Sequence, residues 1–183
     1  MTPNSKTTEK TMATAVARWL KSERGLAAQE ISLGRNRFDV VAYDKKRRVF
    51  KVVECKLTTR ESGIGKTFGQ LASYTAGLSN RGYEFVNAAS KNLKNISFNT
   101  WMEATSGGRT IQVEYFVALR EKALKDVEFL RSVRKQVPGV GIIRYKENGQ
   151  CKDNIWSHGK RDYELCCAKP RKIKLNQPRR RYS

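Results

Sequence analysis

The chain has few of the residues that hold metal clusters or cross-link small domains. Its 183 residues include one histidine and four cysteines, at positions 55, 151, 166 and 167. The order Cys151, His158, Cys166 and Cys167 matches no standard zinc knuckle, and adjacent cysteines cannot readily both bind one tetrahedral ion. Free thiols in a reducing compartment are therefore favoured over a zinc site at Cys151, His158 and Cys166. Cys55 lies in a strand-like run and is expected to be a small core residue.

Long apolar runs and acidic residues are also scarce. No stretch approaches the ~18 apolar residues of a membrane-spanning helix, and the N-terminus lacks a signal-peptide core, so we expect a soluble, intracellular protein. The 17 acidic residues are outnumbered by 37 lysines and arginines, which gives a formal net charge of +20. This excess predicts a polyanionic partner. Nucleic acid is favoured over a membrane, because no long helix combines a basic face with a large apolar one.

Length and hydrophobic content suit one domain with a small appendage. The chain is 39% hydrophobic, which is enough for a core at this length. We expect a core domain over residues 1–150 and an irregular segment over 151–183 that contains the cysteines and the histidine. This segment ends in a basic tail, residues 169–183, which has no acidic residue and is typical of a solvated extension.

Apolar periodicity predicts alternating helices and strands. The predicted helices cover 7–23, 66–78 and 121–137, and the predicted strands cover 28–33, 111–119 and 141–145, with a strand hairpin over 37–56. Asn148-Gly149 predicts a further hairpin turn. The last strand–helix–strand unit predicts a parallel pair joined by a right-handed crossover. Residues 79–110 are the least regular, although Phe85, Ala89 and Leu93 fall near helical spacing.

Candidate chemistry is concentrated in the stretch from Arg37 to Arg60, RFDVVAYDKKRRVFKVVECKLTTR. If the hairpin turns about Lys46-Arg47, Asp39 lies opposite Glu54. Glu54 and Lys56 share a face, because side chains alternate along a strand. Two neighbouring carboxylates repel unless a cation compensates them, and such oxygen ligands suit Mg²⁺, with Mn²⁺ as a substitute. Lys56 is then placed to hold a water or a developing negative charge. The alternative interpretation is a surface hairpin with a local Glu–Lys pair.

Asp39 and the Glu54-Cys55-Lys56 triplet resemble the motif of the PD-(D/E)xK nuclease superfamily, although Phe38 stands where that family usually has proline. The order of predicted elements from Thr8 to Tyr145 is similar to the family's αβββαβ core. The resemblance implies an α/β, restriction-endonuclease-like fold, with a central mixed sheet flanked by helices and here a basic C-terminal extension. It also implies Mg²⁺-dependent phosphodiester hydrolysis. Small basic members include Holliday-junction resolvases and Mrr-like endonucleases.

The same resemblance extends to residues outside the hairpin. Glu9 continues the inward face of the first helix, where family members place a third acid beside the metal; otherwise it is an acid favourable to the helix dipole. Gln70 and Tyr74 resemble the Q-x-x-x-Y motif of the RecB-like branch, which implies contact with the nucleic acid backbone; otherwise they are ordinary helix surface with a half-buried tyrosine. Arg37, Arg60 and Lys66 are expected to bind phosphates. The glycine-containing loop before the second helix lacks P-loop spacing.

The sequence therefore predicts a metal-dependent DNA endonuclease of recombination, repair or restriction. It would be cytoplasmic and associated with the nucleoid, and it would form a homodimer if it cuts both strands of its substrate. Two alternatives stay open: a non-catalytic, basic nucleic-acid-binding protein on the same scaffold, and an RNA-directed protein.

Overall fold

A computed structural model describes residues 8–57, 61–93, 110–120, 135, 139–146, 150–153 and 168–174. These residues contain two long helices and seven strands. The helices are α1 (Glu9–Arg24) and α2 (Glu61–Asn92). The strands are β1 (Gly25–Leu33), β2 (Asn36–Asp44), β3 (Val49–Lys56), β4 (Thr110–Arg120), β5 (Gly141–Tyr145), β6 (Cys151–Asp153) and β7 (Arg171–Lys174). No helix in these residues is long and apolar enough to cross a membrane.

The strands form one mixed sheet. Its order is β1–β2–β3–β4–β5–β6, and β7 pairs with the first residues of β4. The first three strands are antiparallel neighbours, whereas β3, β4 and β5 run parallel. The parallel pairing of β4 with β5 is confirmed, whereas the predicted right-handed crossover between them stays a prediction. The described part of the chain is thus an α/β structure with a mixed sheet flanked by helices, as predicted.

Each face of the sheet is covered by one of the two helices. α1 buries Met12, Val16 and Leu20 against one face, and these side chains are fully excluded from solvent. α2 buries Leu71, Leu78 and other apolar side chains against the opposite face. Because helices cover both faces, seven of the eight residues of β3 are buried, which explains its nearly continuous apolar sequence.

α2 extends well beyond its predicted end at residue 78. It continues to Asn92, with a kink at Arg81, where the backbone leaves helical geometry (φ −131°, ψ 32°). Phe85 packs edge-on against Phe38 and Phe50, with ring centroids 5.7 and 5.4 Å apart. This burial overrides the weak helix propensity of the asparagine-containing sequence.

Two strands come from the segment that the sequence analysis expected to be irregular. β6 pairs with β5, and β7 pairs with β4, so the sheet includes residues on both sides of position 150. β7 has the sequence RKIK, and only Ile173 is buried. A single apolar position among basic residues gives no detectable period, which is why this strand was missed. The predicted helix over 121–137, apart from residue 135, and the predicted turn at 148–149 lie outside the described residues.

Candidate active site

The sheet opens between β2 and β3 at Asp39. The paired residues run from Asp44 with Val49 to Val40 with Val53, as the predicted register requires, and this places Asp39 beside Glu54. Beyond the last backbone pair, the backbone N–H of Cys55 in β3 donates to Oδ2 of Asp39, at 2.8 Å. A side-chain carboxylate thus replaces a backbone acceptor at the point where the ladder ends. β3 itself continues along β4 as far as Lys56.

Side chains on β2 change faces at Asp39. Val41 and Tyr43 contact the α2 side of the sheet, and Val40 contacts the α1 side, as alternation requires. Phe38 should then lie on the α1 side, yet it packs against Tyr74 of α2, with ring centroids 4.7 Å apart. The change of face takes Asp39 out of the regular alternation. Its carboxylate can therefore reach the edge of β3.

A matching irregularity occurs in the neighbouring strand β1. Glu30 has a positive φ of 54°, a conformation that is unusual for a residue other than glycine. Its flanking residues Gln29 and Ile31 pair with Val40 and Phe38, so Glu30 and Asp39 occupy equivalent positions. Local irregularities of this kind re-aim side chains next to functional sites. No local sequence pattern predicts the positive φ of Glu30.

Glu54 is held from two sides. Lys56 lies on the same face of β3, and its Nζ is 2.7 Å from Oε1 of Glu54. Oη of Tyr74 lies 2.9 Å from Oε2 of Glu54 and 2.7 Å from the carbonyl oxygen of Arg37. Tyr74 has one phenolic hydrogen for these two oxygens. Both contacts are hydrogen bonds at once only when the Glu54 carboxyl carries a proton, which it then donates to Oη of Tyr74.

Burial and neighbouring charges shift the pKa values of Asp39, Glu54 and Lys56. Burial raises the pKa of Asp39, although the Cys55 N–H and the Lys56 ammonium oppose this effect. Burial and the neighbouring Asp39 charge raise the pKa of Glu54. Burial lowers the pKa of Lys56, but the hydrogen bond and charge of Glu54 more than compensate, so its pKa is raised. The site thus combines two acids with raised pKa values and an ammonium whose pKa is also raised.

A basic cleft borders this cluster on the α2 side. Its volume is about 590 Å³, and its charged lining is entirely basic: Arg35, Arg37, Lys56 and Lys66. Polar side chains from β2 and α2 complete the lining, namely Asn36, Gln70, Ser73 and Tyr74. Such a surface suits an anionic ligand that carries several charges.

A smaller cleft lies on the α1 side. Its volume is about 160 Å³, and its lining includes the acids Glu9, Glu30 and Asp39. Arg37 lines both clefts and forms an ion pair with Glu30 at 2.7 Å. Asp39 therefore lies between an acidic cleft and the basic one.

The structure brings together most of the predicted site residues. Asp39, Glu54 and Lys56 interact directly, and Lys66 and Gln70 line the adjacent cleft. Oε1 of Gln70 is buried and accepts no hydrogen bond from the described residues. Arg60 lies outside the described residues.

Glu9 lies in the smaller cleft with Asp39, and its charge raises the pKa of Asp39. The described residues contain no group of three or more His, Cys, Asp or Glu side chains that could hold a metal ion. The role of Glu9 as a third acid beside a metal therefore stays a prediction.

The donor set nevertheless fits a magnesium ion. Mg²⁺ is commonly bound by one or two carboxylates together with water and substrate phosphates, and Asp39 and Glu54 supply two. Burial raises the pKa of Glu54 and the Asp39 charge raises it further, and a bound cation would relieve that repulsion. Zinc is a different case: Cys151 is half-buried in β6, and His158 and Cys166 lie outside the described residues. Cys55 is a buried core residue, as predicted.

Four residues of the basic cleft were not found by sequence reasoning: Arg35, Asn36, Gly69 and Ser73. Oγ of Ser73 donates to Oδ1 of Asn36 at 3.0 Å, which ties α2 to the start of β2. Gly77 permits this approach, because a Cβ there would lie 2.6 Å from Nδ2 of Asn36. Ser73 and Gly77 share a helical face with Gln70. The helical spacing of these three residues can be seen in the sequence, whereas their strand partner Asn36 cannot.

No family model, curated protein or solved structure matches this chain significantly. The site geometry is therefore the basis on which we assign a function.

Proposed function

We propose that the protein is a metal-dependent nuclease that hydrolyses phosphodiester bonds in DNA on a restriction-endonuclease-like fold. The observation that carries the proposal is the meeting of Asp39, Glu54 and Lys56 where β2 leaves β3, at the edge of a basic cleft. The observed element order, α1-β1-β2-β3-α2-β4, is that of an αβββαβ core and supports the same assignment.

Asp39 and Glu54 are the residues that would hold Mg²⁺. When bound, the ion would supply Lewis-acid stabilisation of charge on the phosphoryl group and a more acidic water. The two carboxylates are well placed for this role because each is anchored independently. The backbone of Cys55 fixes Asp39, and Tyr74 fixes Glu54.

Lys56 acts as a donor of charge and hydrogen bonds. Its raised pKa keeps it protonated at neutral pH, so it does not serve as a general base. An ammonium held 2.7 Å from Glu54 can stabilise the negative charge that develops on a phosphoryl oxygen in the transition state. Its half-buried position strengthens that interaction relative to the same contact in water.

The basic cleft would hold the nucleic acid strand. Arg35, Arg37 and Lys66 supply positive charge for phosphates on either side of the cut. Tyr74 stays a neutral phenol, because burial and the Glu54 charge raise its pKa, and it orients Glu54. The unpaired Oε1 of Gln70 is an acceptor and would take a donor from a base or a sugar.

We propose endonucleolytic rather than processive action, and a homodimer where both strands are cut. The test is a cleavage assay on duplex, single-stranded, flap and four-way-junction DNA, with Mg²⁺ or Mn²⁺ and with EDTA. Asp39→Asn and Glu54→Gln should abolish cleavage and leave DNA binding intact or tighter. Glu84→Gln, which removes an exposed acid of α2 that pairs with Arg81, is the matched control and should cut normally.

One observation favours a second candidate, a binding protein that does not cut. The net charge of +20 provides affinity for nucleic acid by itself, without any cleavage chemistry. If the wild-type protein cuts none of the substrates in an EDTA-sensitive way, this candidate replaces the nuclease. Tighter binding to structured RNA than to DNA at matched salt would instead indicate an RNA-directed protein.

A further inference from the structure

The turn between β2 and β3 lies at the end of the sheet opposite the candidate active site. Its four residues, 45–48, are two lysines followed by two arginines, and all four are exposed. β3 leads from this turn to the site, and its five steps from Val49 to Glu54 span about 17 Å. The basic turn is therefore separate from the basic cleft.

Two neighbouring elements add positive charge at the same end. In β7, Lys172 pairs with Gln112 of β4, which pairs in turn with Val49 directly after the turn. Because Ile173 points into the core on the α2 side, Lys172 and Lys174 project from the α1 side, and both are exposed.

The last turn of α1 contributes a further cation. α1 ends at Arg24, and the next residue, Gly25, pairs with Asp44 at the end of β2. Lys21, which is exposed in the last turn of α1, therefore belongs to the same end of the molecule.

Two acids near the turn, Asp44 and Glu114, are buried and bind Arg47. Glu114 is 1% exposed and accepts hydrogen bonds from both terminal nitrogens of Arg47, at 3.1 and 2.5 Å. Asp44 is also buried and accepts the backbone N–H of Arg47 at 3.0 Å. Arg47 is thus compensated. No ion pair with a described residue compensates the six other basic residues, Lys21, Lys45, Lys46, Arg48, Lys172 and Lys174.

We propose that these six residues, the far-end surface, form a second binding surface for the nucleic acid backbone. Lysines spread over three elements suit a ligand with many regularly spaced charges, which a phosphodiester backbone provides. All six side chains of the surface are basic and exposed, which suits contact with phosphates rather than base stacking or insertion into a lipid interface. The inference rests on the proposed function only in taking nucleic acid as the ligand. The substrate would then contact the protein at both ends of β3.

Charge reversal at one position tests this surface. Lys46→Glu should weaken binding of a 30-base-pair duplex about 5- to 10-fold near physiological salt and reduce the slope of log K against log salt by about 1. Lys91→Glu is the matched control, since it changes the net charge equally at an exposed position of α2, which covers the opposite face of the sheet. It should alter affinity far less. Binding is measured by fluorescence anisotropy with EDTA present, so the result does not depend on cleavage.

Arg48→Gly separates binding from folding. Arg48 has a φ of 54°, a conformation that glycine adopts more readily, so the substitution removes a charge without disturbing the turn. It should weaken duplex binding several-fold while the melting temperature stays the same or rises. Equal losses in Lys46→Glu and Lys91→Glu, or no loss in Lys46→Glu and Arg48→Gly, would overturn the proposal. Reduced binding to vesicles containing phosphatidylserine, with unchanged affinity for DNA, would assign the surface to a membrane instead.

Discussion

A carboxylate and a lysine are paired at both ends of β3, but the two pairs have opposite surroundings. At the site end, Glu54 contacts Lys56, and Asp39 adds a second negative charge. At the far end, Glu114 of β4 lies 3.8 Å from Lys51, and Arg47 adds a second positive charge. Lys51 and Glu114 are each 1% exposed, whereas Lys56 opens into the basic cleft.

The difference lies in which charge is in excess. At the far end, one acid is bound by two cations and has no charge to offer a ligand. At the site end, two acids share one ammonium, and the Asp39 charge adds to burial in raising the pKa of Glu54. A buried acid that is enclosed by cations indicates a structural role, whereas excess acid beside an accessible cleft indicates a place for a cation and for chemistry. The same residue types thus acquire different roles from their neighbours.

The largest effect is expected at the buried pair of the far end. Glu114→Gln should destabilise the protein by about 3 kcal/mol or more, because it removes the negative charge that faces the buried Lys51 ammonium at 3.8 Å. The free energy of unfolding, from urea denaturation, checks this value. Glu54→Gln should cost less than half as much in the same experiment. If the two substitutions have equal costs, the distinction between a structural and a functional pair fails.

Removing the ammonium of the site should affect catalysis more than folding. Lys56→Met keeps the aliphatic side chain and should lower the cleavage rate about 10²- to 10³-fold, as for the loss of one transition-state donor. Single-turnover cleavage measures the rate, and thermal unfolding should show only a small change. A rate within a few-fold of wild type would remove Lys56 from the chemistry.

The smallest expected effect is a gain in stability. The pKa of Asp39 is raised in the folded state, so ionisation opposes folding, and wild-type stability falls as pH rises through that pKa. Asparagine cannot ionise and can still accept the Cys55 N–H. Asp39→Asn should therefore stabilise the fold by about 1 kcal/mol at pH 7. The gain should disappear below the ordinary pKa of aspartate. Urea denaturation at neutral and acid pH tests this, and an unchanged or lower stability at pH 7 contradicts it.

The hairpin and its register were predictable because they depend on local sequence. A basic turn between two β-branched runs fixes which residues lie opposite each other, and the observed pairing of Val40 with Val53 follows from it. α1 and β5 were equally clear, since their apolar spacing is regular. The hairpin contains Asp39, Glu54 and Lys56, so the centre of the site could be proposed from the sequence.

Features that depend on distant partners could not be predicted. Lys51 lies in an otherwise apolar strand, and its partner Glu114 belongs to a strand much later in the chain. The change of face at Asp39 requires the positive φ of Glu30 in the adjacent strand. The basic sequence of β7 conceals a strand that only pairing with β4 stabilises. In each case tertiary contacts overrode the local pattern.

The separation between β3 and β4 along the chain has a consequence for the order of folding. The β2–β3 hairpin closes across a four-residue turn, and hairpins of this kind form within microseconds. The parallel β3–β4 pairing must wait for the intervening α2 and a far larger loss of chain entropy. We therefore expect the two carboxylates to be juxtaposed before most of the sheet exists, so that their repulsion opposes the earliest stage of folding.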